Sequence, residues 1–550
     1  MKSDVSYADP LEYNLATRNA AGDIVARVAD LFPKRAAIVD CESHHTYEQL
    51  NLHAEAIAQK LVGIHRERTK PIALIMGNSY DFLTAYFGIL KAGLTVMPIN
   101  HSLTADDVQW ILNDAEAASI IADSDFLHLF QSATEQPLPN PTTLIVRQTG
   151  GQTADASVSA PAEANGTTSA VLDFHDIQQT EVREPLRIMI DDRDTAQCLY
   201  TSGTTSRPKG ALAAHAAVVT AAGSNARMLQ VSWDRGPTKL LSVLPMYHVT
   251  ALNTLILPVL SHGGTVVLHG PFNPTECLKL IEKHSIDIVM ALPMMFGALV
   301  QANAQVKADA TSVRQAIYGM AQMPDSVMAG LQSLMPNAEI YLGSGQTEVL
   351  PATVNQWGVQ NPEKTASWGM PTPTVQVAIM SPDGRLLPRG EEGEIVYRGP
   401  NVTLGYWNNP QANAAAFAHG WFHSGDIGYQ DEDGTVWFTD RAKDIIKTGG
   451  ENVSSLKVEQ VLMDAPGVDE VTVIATPDEH WGQAVTAVVK SSLAASDDDP
   501  AAPEVEQQII AYARDRLAGF ETPKLVRFVS ELPRTSTGKI QKHILRDSLS

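Results

Sequence analysis

Short apolar runs alternate along most of the chain with stretches in which apolar residues recur at helical spacing. Pro71–Met76 is a continuous apolar run typical of a buried strand, Asn78 and Ser79 offer helix caps, and an apolar helical stretch follows over Phe82–Leu90. Strands that alternate with helices in this way predict an α/β fold with substantial parallel sheet.

The pattern changes towards the C-terminus. Val471–Ile474 and Ala484–Val489 are strand-like, and apolar residues at helical spacing follow over residues 505–517. We therefore predict a large N-terminal domain over residues 1–442, with mixed, mostly parallel sheets and helices, and a small α+β domain over residues 443–550.

Composition narrows the function classes. The formal net charge of the 550 residues is −22, which argues against general affinity for nucleic acid or anionic membranes. Three cysteines without a C-x-x-C pair argue against a disulfide scaffold or a cysteine-based zinc site. The N-terminus has no apolar core of the signal-peptide type, and no apolar run is long enough to cross a bilayer. We expect a cytoplasmic protein, and the sequence leaves open whether it forms a homodimer.

The strongest chemical motif is Tyr200–Gly210, YTSGTTSRPKG. Glycines let the backbone approach phosphate oxygens, hydroxyl groups add donors and Lys209 adds a cation. The spacing does not fit the Walker pattern, and the alternative of a simple Ser/Thr-rich turn is disfavoured for this string. The predicted phosphate ligands are Thr201, Ser202, Gly203, Thr204, Thr205 and Lys209.

This string resembles the phosphate loop of the ANL superfamily of adenylate-forming enzymes, which includes acyl-CoA synthetases, nonribosomal-peptide adenylation domains and firefly luciferase. The other motifs of the family appear in the same order between about Thr46 and Lys539, so the resemblance covers nearly the whole chain. It implies an ATP- and Mg²⁺-dependent ligase of the acyl-CoA synthetase branch, with a mobile small domain. Such an enzyme converts a carboxylic acid to acyl-AMP and pyrophosphate, then transfers the acyl group to coenzyme A.

The nucleotide contacts implied by the resemblance begin with Leu342–Glu348, LGSGQTE. A carboxylate is needed to hold Mg²⁺ against the ATP phosphates and a hydroxyl to contact the α-phosphate, and Glu348 and Thr347 fit these roles. Ser344 stands where the family usually has an aromatic residue that stacks on adenine. The remaining adenine-pocket residues implied here and by Tyr318–Pro324 are Gly319, Ala321, Gly345 and Gln346.

Two later motifs imply the ribose contacts and a hinge. WFHSGD ends at Asp426, whose carboxylate can accept hydrogen bonds from both ribose hydroxyls, and DRAKDIIK supplies Arg441 as a second ribose contact. Lys443 occupies the hinge position of the family. A surface salt-bridge cluster is the disfavoured alternative.

The last two motifs imply the residues of the acyl and thiol transfer steps. Pro533–Ile540 carries Lys539, the catalytic lysine position, which in the family contacts the substrate carboxylate and the α-phosphate. Gly449, Gly450 and Glu451 stand in the loop that lines the pantetheine tunnel after the small domain rotates, although a simple turn would serve these glycines equally well.

The acyl pocket is implied by LPMYHVT, Leu244–Thr250, in which His248 is a gate beside the substrate carboxylate rather than a core histidine. The implied pocket segments are Met246–Asn253, Met290–Met295 and Val349–Pro351. They contain no lysine or arginine, which favours an apolar fatty or aryl acid. The implied lining residues are His248, Leu252, Met294, Gly343 and Leu350. Together with Lys539, the implied catalytic residues are Thr201, His248 and Glu348.

Two other functions are compatible with these motifs. One is a stand-alone acyl-AMP ligase that loads a carrier protein, and the other is a nucleotide-binding sensor without turnover, suggested by Ser344. No carrier segment with a phosphopantetheine serine follows the small domain, which favours free coenzyme A. The joint presence of Glu348, Asp426, Arg441 and Lys539 argues against the sensor.

Overall fold

The structure is a computed structural model that describes residues 9–65, 68–131, 143–149, 171–201, 207–233, 236–319, 323–350, 354–356, 362–365, 367–534 and 540–549. The described residues form two compact units. The first takes in those within 1–201, 208–376 and 398–416, and the second takes in Arg207 and those within 377–397 and 417–550.

The α-helices of the described chain are α1 (Pro10–Thr17), α2 (Asp23–Leu31), α3 (Tyr47–Ile64), α4 (Tyr80–Lys91), α5 (Ala105–Asp114), α6 (His128–Gln131), α7 (Phe174–Gln178), α8 (His215–Met228), α9 (Leu257–Ser261), α10 (Pro274–His284), α11 (Pro293–Val306), α12 (Asp325–Leu334), α13 (Pro410–Ala416), α14 (Ser455–Leu462), α15 (Ala502–Arg514) and α16 (Lys542–Leu549). A π-helix spans Thr250–Ile256, and single 3₁₀ turns span Ser124–Phe126, Thr347–Val349, Pro362–Lys364 and Ala418–Gly420.

The strands are β1 (Ala36–Asp40), β2 (Ser43–Thr46), β3 (Ile72–Ile75), β4 (Val96–Pro98), β5 (Ser119–Asp123), β6 (Thr143–Arg147), β7 (Val171–Asp173), β8 (Thr195–Thr201), β9 (Lys209–Ala214), β10 (Lys239–Ser242), β11 (Thr265–Leu268), β12 (Ile288–Ala291), β13 (Gln315–Tyr318), β14 (Glu339–Ser344), β15 (Val354–Gln356), β16 (Met370–Pro371), β17 (Gln376–Met380), β18 (Gly393–Arg398), β19 (Gly405–Tyr406), β20 (Phe422–Gln430), β21 (Val436–Arg441), β22 (Ile446–Thr448), β23 (Glu451–Val453), β24 (Glu470–Asp478), β25 (Gly482–Lys490) and β26 (Leu525–Phe528).

The first unit contains two mostly parallel sheets. One has the order β19-β9-β8-β4-β3-β5-β6-β7, and the other has the order β16-β15-β14-β13-β12-β10-β11-β1-β2. Antiparallel pairs occur only towards the edges, at β8-β9-β19 in the first sheet and at β14-β15-β16 and β1-β2 in the second. The predicted α/β fold with mixed, mostly parallel sheets is therefore confirmed.

Helices that pack on the sheets explain why parallel strands such as β3 consist of apolar residues. One hydrophobic cluster joins residues of both sheets with residues of α2, α3, α4, α8 and α9. All four residues of β3 are fully buried, as expected for a strand covered on both faces. The predicted strand and the helix after it are confirmed as β3 and α4. Ser79 caps α4 by accepting a 3.1 Å hydrogen bond from the amide of Phe82, whereas the side chain of Asn78 points to another segment.

The second unit contains a four-stranded sheet, β17-β18-β20-β21, and a five-stranded sheet in the order β23-β22-β25-β24 with β26 beside β25. The predicted strands over 471–474 and 484–489 lie within β24 and β25, which pair antiparallel along their whole length. The predicted helix is α15, which buries Val505, Ile509 and Ala513 and ends before Leu517. Helices and strands in this arrangement confirm the α+β character of the C-terminal region.

Within the described ranges, we find no helix that combines the length and the apolar character needed to cross a membrane.

Candidate active site

The two ends of the motif Tyr200–Gly210 belong to strands β8 and β9 of the first unit. Strands β8 and β9 pair antiparallel, and Thr201 lies directly opposite Lys209. The Thr201 hydroxyl donates a 3.4 Å hydrogen bond to the Lys209 carbonyl oxygen. The predicted ligands Ser202, Gly203, Thr204 and Thr205 lie outside the described residues. The structure thus places the two ends of the loop side by side and leaves the loop contacts as predictions.

Gly210 follows this loop and has a packing role. A β-carbon there would lie 2.8 Å from the Cys198 sulfur and 2.9 Å from the ring of Tyr200. The Tyr200 hydroxyl is itself held by a 2.6 Å hydrogen bond to the Asp114 carboxylate. This glycine is therefore needed for close approach inside the hairpin, before any contact with phosphate is considered.

Tyr406 contacts both Lys209 and Glu348, and the sequence motifs do not point to this tyrosine. The Tyr406 hydroxyl donates a 2.9 Å hydrogen bond to Glu348 Oε1, and Lys209 Nζ lies 5.3 Å from the centroid of its ring. Burial, and then the charge of Glu348, raise the pKa of Tyr406, so the hydroxyl keeps its proton and acts as the donor. The sequence shows only an aromatic pair in a polar stretch here, and Tyr406 is 58 residues away from Glu348.

Glu348 lies in a single 3₁₀ turn that follows β14. Its main-chain oxygen accepts a 2.7 Å hydrogen bond from the Thr403 amide. The turn ends at Leu350, which is buried and has a φ of 45°, in the left-handed region. Such a conformation is costly for a residue with a side chain and persists where the surroundings enforce it. The turn between β14 and Leu350 is thus fixed in shape, with Thr347 and Glu348 half-buried on it.

The adenine-pocket candidates lie at the carboxyl ends of two neighbouring parallel strands. Gly319 follows β13, and Gly343 and Ser344 end β14. A β-carbon on Gly319 would lie 3.0 Å from the Gly343 oxygen. Gly345 is exposed and Gln346 half-buried just beyond, while Ala321 lies outside the described residues. Ligands in open α/β sheets bind outside this end of the strands, which suits the predicted role.

His248 is held as a neutral ring. Burial lowers the pKa of its imidazole, and Nδ1 accepts a 3.2 Å hydrogen bond from the Thr250 amide. A neutral ring that accepts at Nδ1 carries its proton on Nε2. The segment before it is clamped by Asn78, whose amide donates to the Leu244 oxygen and accepts from the Met246 amide, both at 2.9 Å. The sequence pattern indicates Asn78 only as a helix cap.

A π-helix over Thr250–Ile256 begins two residues after His248, and such helices are frequent at functional sites. A buried polar chain ties it to β8. The Asn253 side-chain amide donates a 2.8 Å hydrogen bond to Gln197 Oε1. The Gln197 side-chain amide in turn donates a 2.8 Å hydrogen bond to the Tyr86 hydroxyl. The segment implied as the acyl-pocket wall is therefore joined to the strand that ends at Thr201.

The other acyl-pocket candidates lie in different environments. Leu252 and Leu350 are both buried and belong to one hydrophobic cluster, which also includes Met290. Met294, at the start of α11, is 74% exposed. The structure therefore brings Leu252 and Leu350 into the same core and does not place Met294 with them.

Asp426 and Arg441 form an ion pair in the second unit. They lie opposite each other on β20 and β21, and Arg441 Nε is 2.5 Å from Asp426 Oδ1. Asp426 is fully buried, and a buried carboxylate needs such a partner. The two motifs, fifteen residues apart in sequence by their numbers, thus meet across one antiparallel strand pair.

Gly449 and Gly450 form a two-residue hairpin turn between β22 and β23. Their φ angles are 59° and 89°, and Thr448 pairs with Glu451 across the turn. Positive φ at both central residues is the type I′ pattern, which favours glycine. A β-carbon on Gly449 would also lie 2.7 Å from the ring of Trp481. The glycines are thus explained by the turn and this contact, and the exposed Glu451 follows them.

Lys539 lies outside the described residues, but the structure describes both sides of its segment. Arg534 and Ile540 form an antiparallel bridge, so the residues on either side of the segment lie next to each other. Helix α16 follows at once, and Lys542 forms a 2.8 Å ion pair with Glu459 of α14. The helix after Lys539 is therefore anchored to the body of the second unit.

Lys443 lies just beyond β21, between two anchored carboxylates. Asp440 accepts hydrogen bonds of 2.8 Å from the Ser455 hydroxyl and 3.2 Å from the Leu456 amide, both in the first turn of α14. Burial raises the pKa of Asp444, but the charge of Lys542, the hydrogen bond from Arg546 and the charge of Lys443 together lower it below its usual value. The proposed hinge position thus lies in a short segment between Asp440, held by hydrogen bonds from α14, and Asp444, held by an ion pair with Arg546.

Comparison with known proteins assigns the chain to a family. The model of the AMP-binding enzyme family matches residues 25–407, and the model of the AMP-binding enzyme C-terminal domain matches residues 457–539. A long-chain-fatty-acid–CoA ligase, FadD13, from Mycobacterium tuberculosis is 32% identical over 96% of this chain and 98% of its own. A feruloyl-CoA synthase from an Amycolatopsis species is 30% identical over 96% of this chain and 98% of its own.

Solved structures agree with these matches. A fatty acyl CoA synthetase from Mycobacterium tuberculosis superposes with a TM-score of 0.74 at 30% identity, covering 96% of this chain and 98% of that chain. ATP-bound MatB from Rhodopseudomonas palustris gives a TM-score of 0.79 at 26% identity, with coverage of 96% and 98%. The chain therefore belongs to the AMP-binding enzyme family, in the acyl-CoA synthetase branch of the ANL superfamily.

Proposed function

We propose that this enzyme uses ATP to adenylate an apolar fatty or aryl acid, releasing pyrophosphate, and then transfers the acyl group to coenzyme A. The observation that carries the proposal is the meeting of Lys209 and Glu348 at the Tyr406 side chain, beside the hairpin that bears Thr201. A cation and a carboxylate held at the end of a phosphate loop are what an ATP-consuming site requires.

Adenylation must bring two anions together. An oxygen of the substrate carboxylate attacks the α-phosphorus, a new O–P bond forms, and the bond to the pyrophosphate oxygen breaks. We assign Lys209 and Lys539 to the phosphates and the Thr347 hydroxyl to the α-phosphate. Fixed charges of this kind stabilise the transition state, in which negative charge moves towards the leaving group. His248, neutral with its proton on Nε2, can donate to the substrate carboxylate without titrating.

The side chains present fit Mg²⁺. Among the described residues, no group of three or more His, Cys, Asp or Glu side chains is placed to hold a metal. A single carboxylate nevertheless suits Mg²⁺, which in nucleotide sites is bound by one or two carboxylates and completes its shell with substrate phosphates and water. We assign this role to Glu348, whose Oε1 is already hydrogen-bonded. Bound there, the ion would offset phosphate charge.

The remaining nucleotide contacts are assigned by position. Asp426 and Arg441 would hold the ribose, and Gly319 and the segment Ser344–Thr347 would border the base. Since Ser344 offers no ring, the backbone at the ends of β13 and β14 is the proposed support for adenine.

Thioester formation would follow a rotation of the small domain, proposed here as residues 443–550, about Lys443. Lys539 would then leave the site, and Gly449–Glu451 would enter to guide the thiol, which attacks the acyl carbon and releases AMP. A hinge of this kind needs only a few residues. Lys443→Pro should slow thiol transfer more than adenylation, and equal rates for thiol transfer in variant and wild type would count against the hinge.

An apolar acid is favoured by the lining residues and by the relatives. Leu252 and Leu350 are buried and apolar, and the relatives are named for a long-chain fatty acid and for ferulate. We further propose a cytoplasmic location, supported by three cysteines that are all free thiols. Whether the enzyme acts as a homodimer is best decided by light scattering.

The decisive experiment is a hydroxylamine-trapping assay with a panel of fatty and aryl acids, run with and without coenzyme A. We expect acid-dependent hydroxamate and pyrophosphate, and a coenzyme A thioester with the preferred acid. Acyl-AMP without any thioester would favour loading of a carrier protein. Nucleotide binding without acyl-AMP for any acid would overturn the proposed catalysis.

A further inference from the structure

We propose that Tyr406 is a positioning residue for adenylation, which holds the Glu348 carboxylate in its Mg²⁺-binding orientation and fixes Lys209 through its ring. The inference rests on the proposed function, because it assumes that Mg²⁺ and ATP bind at Glu348 and Lys209. It adds a residue that neither the motifs nor their spacing pointed to.

Tyr406 is itself held rigidly. Its strand β19 pairs with β9, which begins at Lys209. Asn413 accepts a 2.6 Å hydrogen bond from the Tyr406 amide and donates a 3.0 Å hydrogen bond to the Tyr406 oxygen. Gly405 makes room for this clamp, since a β-carbon there would lie 2.9 Å from Asn413 Oδ1. The ring therefore starts from a fixed backbone.

The same segment also holds the backbone of Glu348. The Thr403 amide donates a 2.7 Å hydrogen bond to the main-chain oxygen of Glu348. The Thr403 hydroxyl donates a 2.5 Å hydrogen bond to the main-chain oxygen of Leu212 in β9. Glu348 is thus fixed twice by residues 403–406, once at its main chain and once at its carboxylate. Without these contacts the Glu348 side chain would sample many rotamers, and the metal would have to restrict it to one of them at an entropic cost.

The hydroxyl and the ring of Tyr406 have separable effects. The hydroxyl bonds Oε1 of Glu348 and leaves Oε2 for a cation. The ring lies under Lys209, where a cation is attracted to the π face. Partners that orient a metal ligand typically change metal affinity by roughly 10- to 100-fold when removed. Loss of the hydroxyl should therefore affect the metal, and loss of the ring should affect the nucleotide as well.

The test uses the full chain and the variants Tyr406→Phe and Tyr406→Leu. Calorimetry with a non-hydrolysable ATP analogue, at a series of Mg²⁺ concentrations, gives the Mg²⁺ needed for half-maximal binding. We expect about a tenfold increase for Tyr406→Phe, the size of one hydrogen bond to a charged group, with unchanged affinity for the analogue without Mg²⁺. Tyr406→Leu should weaken binding of the analogue in both conditions.

Tyr47→Phe is the matched control, because the Tyr47 hydroxyl donates to the oxygens of Leu260 and Gly264 in the core. It should lower stability and leave the Mg²⁺ requirement unchanged. In a Glu348→Gln background, Tyr406→Phe should have little further effect, since the two residues act as one unit.

Two results would overturn the inference, and they can be told apart. If Tyr406→Phe has the wild-type Mg²⁺ requirement, Tyr406 does not position Glu348, and the proposed function is unaffected. If nucleotide binding and pyrophosphate release by the wild-type enzyme need no Mg²⁺, both the positioning role of Tyr406 and the proposed Mg²⁺-dependent function are refuted.

Discussion

The guanidinium of Arg546 lies 2.5 Å from the carboxylate of Asp444, which joins the last helix of the chain to the residue after Lys443. Helix α16 begins three residues after Lys539, by their numbers. The segment that carries the lysine therefore starts and ends on the same body as the proposed hinge, so Lys539 should move with that body rather than independently of it.

Removal of this ion pair should slow adenylation. In Arg546→Ala, α16 loses one of its anchors, and we expect acid-dependent pyrophosphate exchange to fall about tenfold, as when a partly buried charge pair loses one member. Thioester formation from supplied acyl-AMP should fall less, because the role proposed for Lys539 is confined to adenylation. Arg514→Ala, at the exposed end of α15, is the control and should match wild type. Equal loss in both half-reactions would contradict the assignment.

Lys539 itself should be needed for one half-reaction only. We expect Lys539→Ala to abolish acid-dependent pyrophosphate exchange, because it removes the charge proposed to bring the carboxylate and the α-phosphate together. Transfer from supplied acyl-AMP to coenzyme A should persist near the wild-type rate. A parallel loss in that second assay would show that the lysine serves both steps.

Asn78→Ala should change recognition of the acid. Removal of the side chain leaves the Leu244 oxygen and the Met246 amide without their partner, at a cost of about 1–3 kcal/mol in the free energy of unfolding. The segment before His248 then loosens, so we expect KM for the acid to rise several-fold while KM for ATP stays the same.

Its neighbour Ser79 provides the control for this measurement. Ser79→Ala removes the cap of α4 and should cost about 1 kcal/mol in stability with no change in either KM. If both variants raise KM for the acid equally, the clamp has no specific role.

Stability should fall in mild acid because of His215. Burial is the main cause that lowers the pKa of this imidazole to about 4, and its Nδ1 accepts a hydrogen bond from the Ala21 amide. The unfolded state, with a pKa near 6.5, binds more protons between about pH 4 and 6.5, so stability is complete above this range and is lost as the pH falls through it. The effect amounts to roughly 3 kcal/mol at most.

Urea unfolding at a series of pH values measures this directly. A His215→Gln variant should be less stable at neutral pH and should lose most of the dependence on pH in this range. A variant that keeps the wild-type slope would show that other groups cause it.

Local patterns allowed much of the fold to be predicted. The strand β3 and helix α4 are encoded by contiguous apolar spacing and by a serine cap, so their sequence alone specifies them. The short motifs of Asp426 and Arg441 predict that both residues contact the ribose, but they do not predict the ion pair that joins the two side chains. By contrast, the hydrogen bond from the Met246 amide to Asn78 joins residues 168 positions apart, and the hydrogen bond from Tyr406 to Glu348 joins residues 58 positions apart. Such pairs depend on topology, which spacing does not reveal.

The buried link between Gln197 and Asn253 bears on attempts to redesign which acid the enzyme accepts. Exchanging residues 246–256 for the matching segment of another synthetase would be the natural graft. A donor segment without an amide at position 253 would leave the fully buried side chain of Gln197 with an unmatched acceptor, on the strand that leads into the phosphate loop. Successful grafts should therefore carry residues 197 and 253 together, as a compatible pair.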